Sequence, residues 1–129
     1  MIRIIAFSIL ASLLLTACSP SCDVKSYNEL LQPYLEKWDD ASALANQTAR
    51  IGLVGPITDM QAIHRDVSNL DIPACTKEAH ENLLYFMDSR IDGFIAFMGK
   101  QPDDEVQRLF NNADVGWNGY LRKLGELRK

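Results

Sequence analysis

The chain has 129 residues and carries 17 acidic and 13 basic side chains, which give a formal net charge of −4. Hydrophobic residues make up 47% of the sequence and charged residues 23%, proportions that fit a folded domain and exclude a disordered chain. The length fits one domain rather than two. The excess of acid argues against a nucleic-acid-binding protein.

Residues 1–17 have the pattern of an export signal. Arg3 supplies a minimal positive start, and an apolar stretch broken only by two serines follows over residues 4–15. That stretch is shorter than the roughly 20 apolar residues that a membrane-spanning helix needs. The sequence therefore predicts a cleaved signal rather than a membrane-spanning anchor.

The signal ends in Leu15-Thr16-Ala17-Cys18, which resembles the lipobox of bacterial lipoproteins. The resemblance implies that diacylglycerol is attached to the sulfur of Cys18 and that a peptidase cuts after Ala17. It also implies that a further acyl chain, such as palmitate, is often added to the new amino group. Because each buried methylene contributes roughly 0.8 kcal/mol, two or three acyl chains anchor a protein lastingly where one does not. The alternative is an ordinary secretory signal with a chance cysteine.

The lipobox resemblance also predicts where the protein is found. We expect it to be lipid-anchored on the extracytoplasmic side of the cell envelope. Ser19 follows the modified cysteine, and in Gram-negative cells lipoproteins with a residue other than aspartate there usually move to the outer membrane. In such a cell the protein would face the periplasm.

Three cysteines are an odd count for an exported protein, and the predicted lipidation accounts for the odd one. Lipidation uses Cys18 and leaves Cys22 and Cys75, an even pair in an oxidising compartment, so the sequence predicts a disulfide between them. Two reduced, inert thiols are the alternative. The pair lacks the spacing of a zinc site.

Four segments of the remaining chain show the spacing of apolar residues that is typical of amphipathic helices. They cover residues 26–49, 57–70, 73–98 and 103 onwards. Capping boxes are predicted at the first two starts, formed by Ser26 with Glu29 and by Thr58 with Gln61. Pro33 would either kink the first helix or mark its true start.

The short connections between these segments predict an all-α, antiparallel up-down-up-down four-helix bundle. We assign it to residues 23–129, with residues 18–22 as the lipidated cysteine and a short tether. In this topology the first and third helices start at the same end of the bundle. Cys22 precedes the first helix and Cys75 opens the third, so the predicted topology and the predicted disulfide agree.

The mature part is also similar to small helical exported proteins of unknown function from cyanobacteria and Chloroflexota. The similarity lies in the stretches around Trp38-Asp39-Asp40-Ala41, Pro73-Ala74-Cys75 and Ile91-Asp92-Gly93-Phe94. It implies no activity and no site residue.

Neither histidine is expected to bind metal. Bundle proteins that hold two iron ions use Glu-x-x-His pairs, but neither Glu78 nor Glu81 lies three residues before His80. We therefore expect His64 and His80 to be surface or boundary residues.

The remaining candidate ligands have simpler explanations. The methionines Met60, Met87 and Met98 lie at helical spacing and are expected in the core rather than on a haem. Asp88 and Asp92 share a helix face, where a divalent ion could relieve their repulsion, although a solvated face is the preferred interpretation. No sequence motif of nucleophilic or metal-dependent catalysis is present, so the prediction is a protein that is not an enzyme and has no cofactor.

Two functions are compatible with these features. The preferred one is a membrane-anchored envelope lipoprotein that serves as a helical protein-interaction or structural module. The alternative is a helical bundle of the cell envelope that binds a small ligand, haem or metal. The expected partners are the membrane, through the lipid anchor, and an envelope protein.

Four basic residues near the end of the chain, Arg122, Lys123, Arg128 and Lys129, are predicted to lie close to the membrane. The predicted tether is short, and an antiparallel fourth helix ends on the tethered side. Basic side chains there would attract anionic headgroups. The alternative is that they only match the dipole of the fourth helix.

Overall fold

The structure is a computed structural model that describes residues 22–129. This part of the chain contains four α-helices and no β-strand, so the predicted fold class, an antiparallel four-helix bundle, is confirmed. Short 3₁₀ turns, Arg50–Gly52 and Ala74–Thr76, precede the second and third helices. The signal segment and Cys18 lie outside the described residues. The helices are α1 (Val24–Gln47), α2 (Val54–Ser68), α3 (Lys77–Met98) and α4 (Asp103–Leu127).

Helix α1 begins at Val24, because Asp23 rather than Ser26 caps it. The Asp23 carboxylate accepts hydrogen bonds from the Ser26 backbone N–H at 2.9 Å and from the Ser26 hydroxyl at 2.6 Å. The predicted capping box of Ser26 and Glu29 is therefore wrong. Pro33 lies inside α1 and does not mark its start.

Helix α2 also begins earlier than predicted, at Val54. The Thr58 hydroxyl donates to the Val54 carbonyl oxygen at 2.8 Å, which is a bond within the first turn rather than a cap. The predicted capping box of Thr58 and Gln61 is wrong. The helix starts directly from the preceding 3₁₀ turn, whose backbone already has a helix-like curvature.

Helices α3 and α4 pack most closely, because small residues let their backbones approach. A Cβ added at Gly116 of α4 would lie only 2.7 Å from the Phe86 backbone nitrogen of α3, and one at Gly93 would lie 2.9 Å from the Phe110 ring. Helix α1 packs on α2, and α2 on α3, whereas the backbone of α1 stays farther from α4. The seam between α1 and α4 is therefore more open than the other contacts between neighbouring helices.

The core is filled by the predicted apolar stripes. Met60 and Met87 are fully buried, as expected, and Met98 packs against the same cluster. No helix within residues 22–129 is both long and apolar enough to cross a membrane.

The predicted disulfide is confirmed. Cys22 and Cys75 are bonded, with their Cα atoms 5.8 Å apart, at the end of the bundle where α1 and α3 start. We call this the disulfide end. The opposite end, where α2 and α4 start, is the distal end.

Candidate functional site

The disulfide end is the part of the domain nearest to the predicted lipid anchor. Only residues 19–21 separate Cys18 from Cys22, and three residues span at most about 10 Å. Cys22 is held by its bond to Cys75, and α1 begins two residues later at Val24. Lipid on Cys18 would therefore bring this end of the bundle to the membrane surface.

Two of the four predicted membrane-facing basic residues already have acidic partners. Arg122 donates to Glu126 at 2.9 Å, and the Lys123 ammonium lies 2.5 Å from Glu78 on α3 and 3.5 Å from Glu126. The hydrogen bond from Lys123 holds the pKa of Glu78 below its usual range and raises that of Lys123. The pair of Lys123 with Glu78 links α4 to α3 at the disulfide end, whereas the pairs with Glu126 lie within α4.

The other two basic residues have no such partners. Neither Arg128 nor Lys129 forms an ion pair with an acidic side chain of residues 22–129. Helix α4 ends at Leu127, so both residues follow its last turn. The four residues therefore divide into a neutralised pair within α4 and an uncompensated pair after it.

His80 is buried, so the prediction that it lies at the surface or boundary is wrong. Its side chain is only 5% exposed. Its Nε2 lies 3.1 Å from the Val67 carbonyl oxygen, and its Nδ1 lies 3.0 Å from the Tyr27 hydroxyl. Because a carbonyl oxygen can only accept, Nε2 carries the proton in the neutral ring and Nδ1 accepts from Tyr27. This network joins α1, α2 and α3.

Burial decides the charge states in this network. It lowers the pKa of His80, although the hydrogen bond to Val67 and the nearby Glu81 oppose the shift. It also raises the pKa of Tyr27, with a smaller contribution from Tyr120. Both side chains therefore favour their neutral forms, as expected of a network that stabilises a core.

His64 lies at the edge of the core, as predicted, and contacts α3. Its Nε2 is 3.2 Å from an Asp88 carboxylate oxygen, but the oxygen lies off the hydrogen-bonding direction of the ring nitrogen. Asp92 lies one turn further along α3. Across residues 22–129, no three side chains of the metal-binding types converge on one point.

A groove that was not predicted from the sequence runs along the seam between α1 and α4. It has a volume of about 340 Å³ and its floor is formed by α3. Phe86 lies between the two tryptophans, with ring centroids 5.7 Å from Trp38 and 5.3 Å from Trp117. We call it the aromatic groove, and its polar side chains are Asp39, Ser42, Arg90 and Asp114.

Arg90 is the unusual residue of the aromatic groove. Its guanidinium lies 5.4 Å from the centroid of the Phe110 ring and 5.7 Å from that of Phe94. Its Nε is buried without a hydrogen-bond partner. Its neighbour Ile91 is buried, whereas Arg90 itself is half-buried at the groove.

Comparison with known proteins found no relative of this chain. No protein-family profile matches the chain, and neither a curated protein nor a solved structure matches it. The two resemblances found in the sequence therefore stay predictions.

Proposed function

We propose that this protein is a membrane-anchored envelope lipoprotein whose helical bundle serves as a protein-interaction or structural module. The observation that carries the proposal is the sequence Leu15-Thr16-Ala17-Cys18 at the end of an apolar segment, with the folded domain starting at Val24. The Cys22–Cys75 disulfide supports export independently of the lipobox, because such bonds persist in oxidising compartments.

The shape of the bundle is consistent with this role. Helix α1 has 24 residues, so it carries the distal end about 36 Å away from the disulfide end. The exposed apolar side chains there include Ile51 at 95% and Val54 at 61%. A lipid on Cys18 would place these side chains away from the membrane, where another envelope protein can reach them.

The alternative of a haem or metal in the bundle core has less support. Met60 and Met87, the methionines most deeply placed in the core, are packed among aliphatic and aromatic side chains. Their burial is explained by packing alone. The protein-interaction or structural role is therefore the function that we propose.

The lipid anchor can be tested directly in cells. Mass spectrometry of the N-terminal peptide should show a diacylglyceryl adduct on Cys18, and the protein should fractionate with membranes. Cys18→Ala should stay uncleaved or lose lipid labelling, whereas the neighbouring change Ser19→Ala should leave labelling intact. A soluble protein that begins at an unmodified residue would refute the proposal.

A further inference from the structure

We infer that the aromatic groove between α1 and α4 binds a small zwitterion with an apolar body, of the size and class of an amino acid. This inference is independent of the lipid anchor, since it depends only on side chains of α1, α3 and α4. Three features of the groove support it: an unsatisfied cation, two unpaired carboxylates, and an aromatic wall.

The cation is Arg90. It forms no ion pair with any carboxylate of residues 22–129, and its Nε is buried without an acceptor. The buried Nε is closed to solvent, so an anion bound in the groove would be held by the outer nitrogens of the guanidinium. A carboxylate suits their planar geometry.

The two carboxylates lie on the helices that border the groove. Asp39 belongs to α1 and Asp114 to α4, and both are exposed residues that line the groove together with Arg90. Neither forms an ion pair or a side-chain hydrogen bond within the described part of the chain. A cationic group of the ligand would be attracted to either of them.

The combination of charges selects the class of ligand. A simple anion would satisfy Arg90 but would be repelled by Asp39 and Asp114. A simple cation would be attracted by the carboxylates but would be repelled by Arg90. A zwitterion, with a carboxylate for Arg90 and an ammonium for an aspartate, complements all three charges.

The aromatic wall and the volume define the rest of the ligand. Phe86 and Trp117 are half-buried and leave part of their rings open to contact with an apolar group, whereas Trp38, only 2% exposed, packs behind them. About 340 Å³ is at the small end of ligand pockets, enough for one amino acid with an apolar side chain.

Intrinsic fluorescence reports directly on this groove, because the chain has two tryptophans and both line it. The protein, as the cell processes it and reconstituted in phosphatidylcholine vesicles, is titrated with L-leucine, L-methionine and L-phenylalanine. At least one should change the tryptophan emission saturably. The amide of that amino acid, which lacks the carboxylate, and its N-acetyl derivative, which lacks the ammonium, should each bind at least about tenfold more weakly.

Matched variants identify the residues responsible. Arg90→Gln should weaken binding of the amino acid by about tenfold or more and leave binding of its amide nearly unchanged. Asp114→Asn should reduce the preference for the amino acid over its N-acetyl derivative, and it is an exposed position where folding is not at risk. The controls are Arg65→Gln and Asp59→Asn, the same changes on α2, away from the groove.

Three results would each overturn the inference. The first is the absence of a saturable response to all three amino acids. The second is equal binding of the amino acid, its amide and its N-acetyl derivative. The third is an effect of the α2 controls as large as that of the groove variants. Membrane fractionation is unaffected by any of these outcomes, so the test separates this inference from the proposed lipid anchor.

Discussion

The Tyr27 hydroxyl and the His80 Nδ1 are joined by a buried hydrogen bond of 3.0 Å that links α1 to α3. The two rings also meet edge to face, with centroids 5.9 Å apart. Because the other ring nitrogen of His80 is bonded to the Val67 carbonyl oxygen, both polar atoms of a buried histidine are satisfied. The network lies in the half of the bundle nearer the disulfide end, close to the starts of α1 and α3.

Removing the tyrosine hydroxyl should destabilise the protein. Tyr27→Phe keeps the ring but leaves Nδ1 of His80 buried without a donor, which typically lowers the free energy of unfolding by about 1–3 kcal/mol. Urea unfolding measures the change. Tyr85→Phe, on an exposed part of α3, is the matched control and should have little effect. Equal stability of Tyr27→Phe and the unmodified protein would show that the hydrogen bond contributes nothing.

Stability should fall as the pH drops below the ordinary histidine value of 6.5. Burial lowers the pKa of His80 in the folded protein, so between that lowered pKa and 6.5 the unfolded chain binds more protons than the folded one. The free energy of unfolding therefore rises with pH across this window, and above the window the contribution of His80 is fully present.

The measurement is urea unfolding at a series of pH values. His80→Gln should remove the part of the pH dependence that falls in this window, whereas His64→Gln, at the edge of the core, serves as the control. A pH profile that is the same for His80→Gln and the unmodified protein would assign the dependence to other groups.

Two of the three glycines of α4, Gly116 and Gly125, should respond oppositely to alanine. At Gly116 a Cβ would press against the Phe86 backbone, which cannot move aside without separating α3 from α4. Gly116→Ala should therefore lower the free energy of unfolding by about 1–3 kcal/mol. At Gly125 nothing lies within 4 Å of the added Cβ, so Gly125→Ala should raise it, by up to about 1 kcal/mol, because alanine favours helix. Thermal unfolding of the two variants decides the comparison, and a loss of stability in both would contradict it.

The basic residues should differ in their attraction to membranes. Arg128 and Lys129 are uncompensated, whereas Arg122 and Lys123 pair with Glu126 and Glu78. Changing both residues after the helix to Gln should weaken binding of the non-lipidated domain to anionic vesicles at low salt by about tenfold or more, since each such residue contributes about 1 kcal/mol.

The matched variant changes Arg122 and Lys123 to Gln and should have the smaller effect on vesicle binding. Cosedimentation at low and moderate salt measures both variants. If the unmodified domain does not bind anionic vesicles at all, the basic residues contribute only to the electrostatics of the domain itself.

The architecture was predictable because it depends on periodic patterns. The spacing of Tyr27, Leu31 and Trp38 defines one buried face of α1, and the structure buries all three. The start of the same helix was misplaced because Asp23 and Ser26 are both good capping residues, and spacing does not choose between them.

The residues of the polar network and of the aromatic groove were harder to predict. His80 lies three residues before Leu83 and seven before Met87, a spacing that could have indicated burial, but its two bonding partners come from α1 and α2. Arg90 is adjacent to Ile91 on α3, and helical spacing alone does not decide which of the two faces the core. Side chains from three helices define the groove, and a pattern along one helix does not contain that information.

The position of the disulfide also affects how the bundle can deform. The bond joins cysteines that lie 53 positions apart in the sequence, and the segment that it closes contains all of α1 and α2. It fixes the start of this helical hairpin to the start of α3. The seam between α1 and α4 has less backbone packing to hold it together than the contact between α3 and α4. Any widening of the seam must therefore be a rotation of the helices about the disulfide. The change in the distance between α1 and α4 is then largest at the distal end and smallest at the disulfide end.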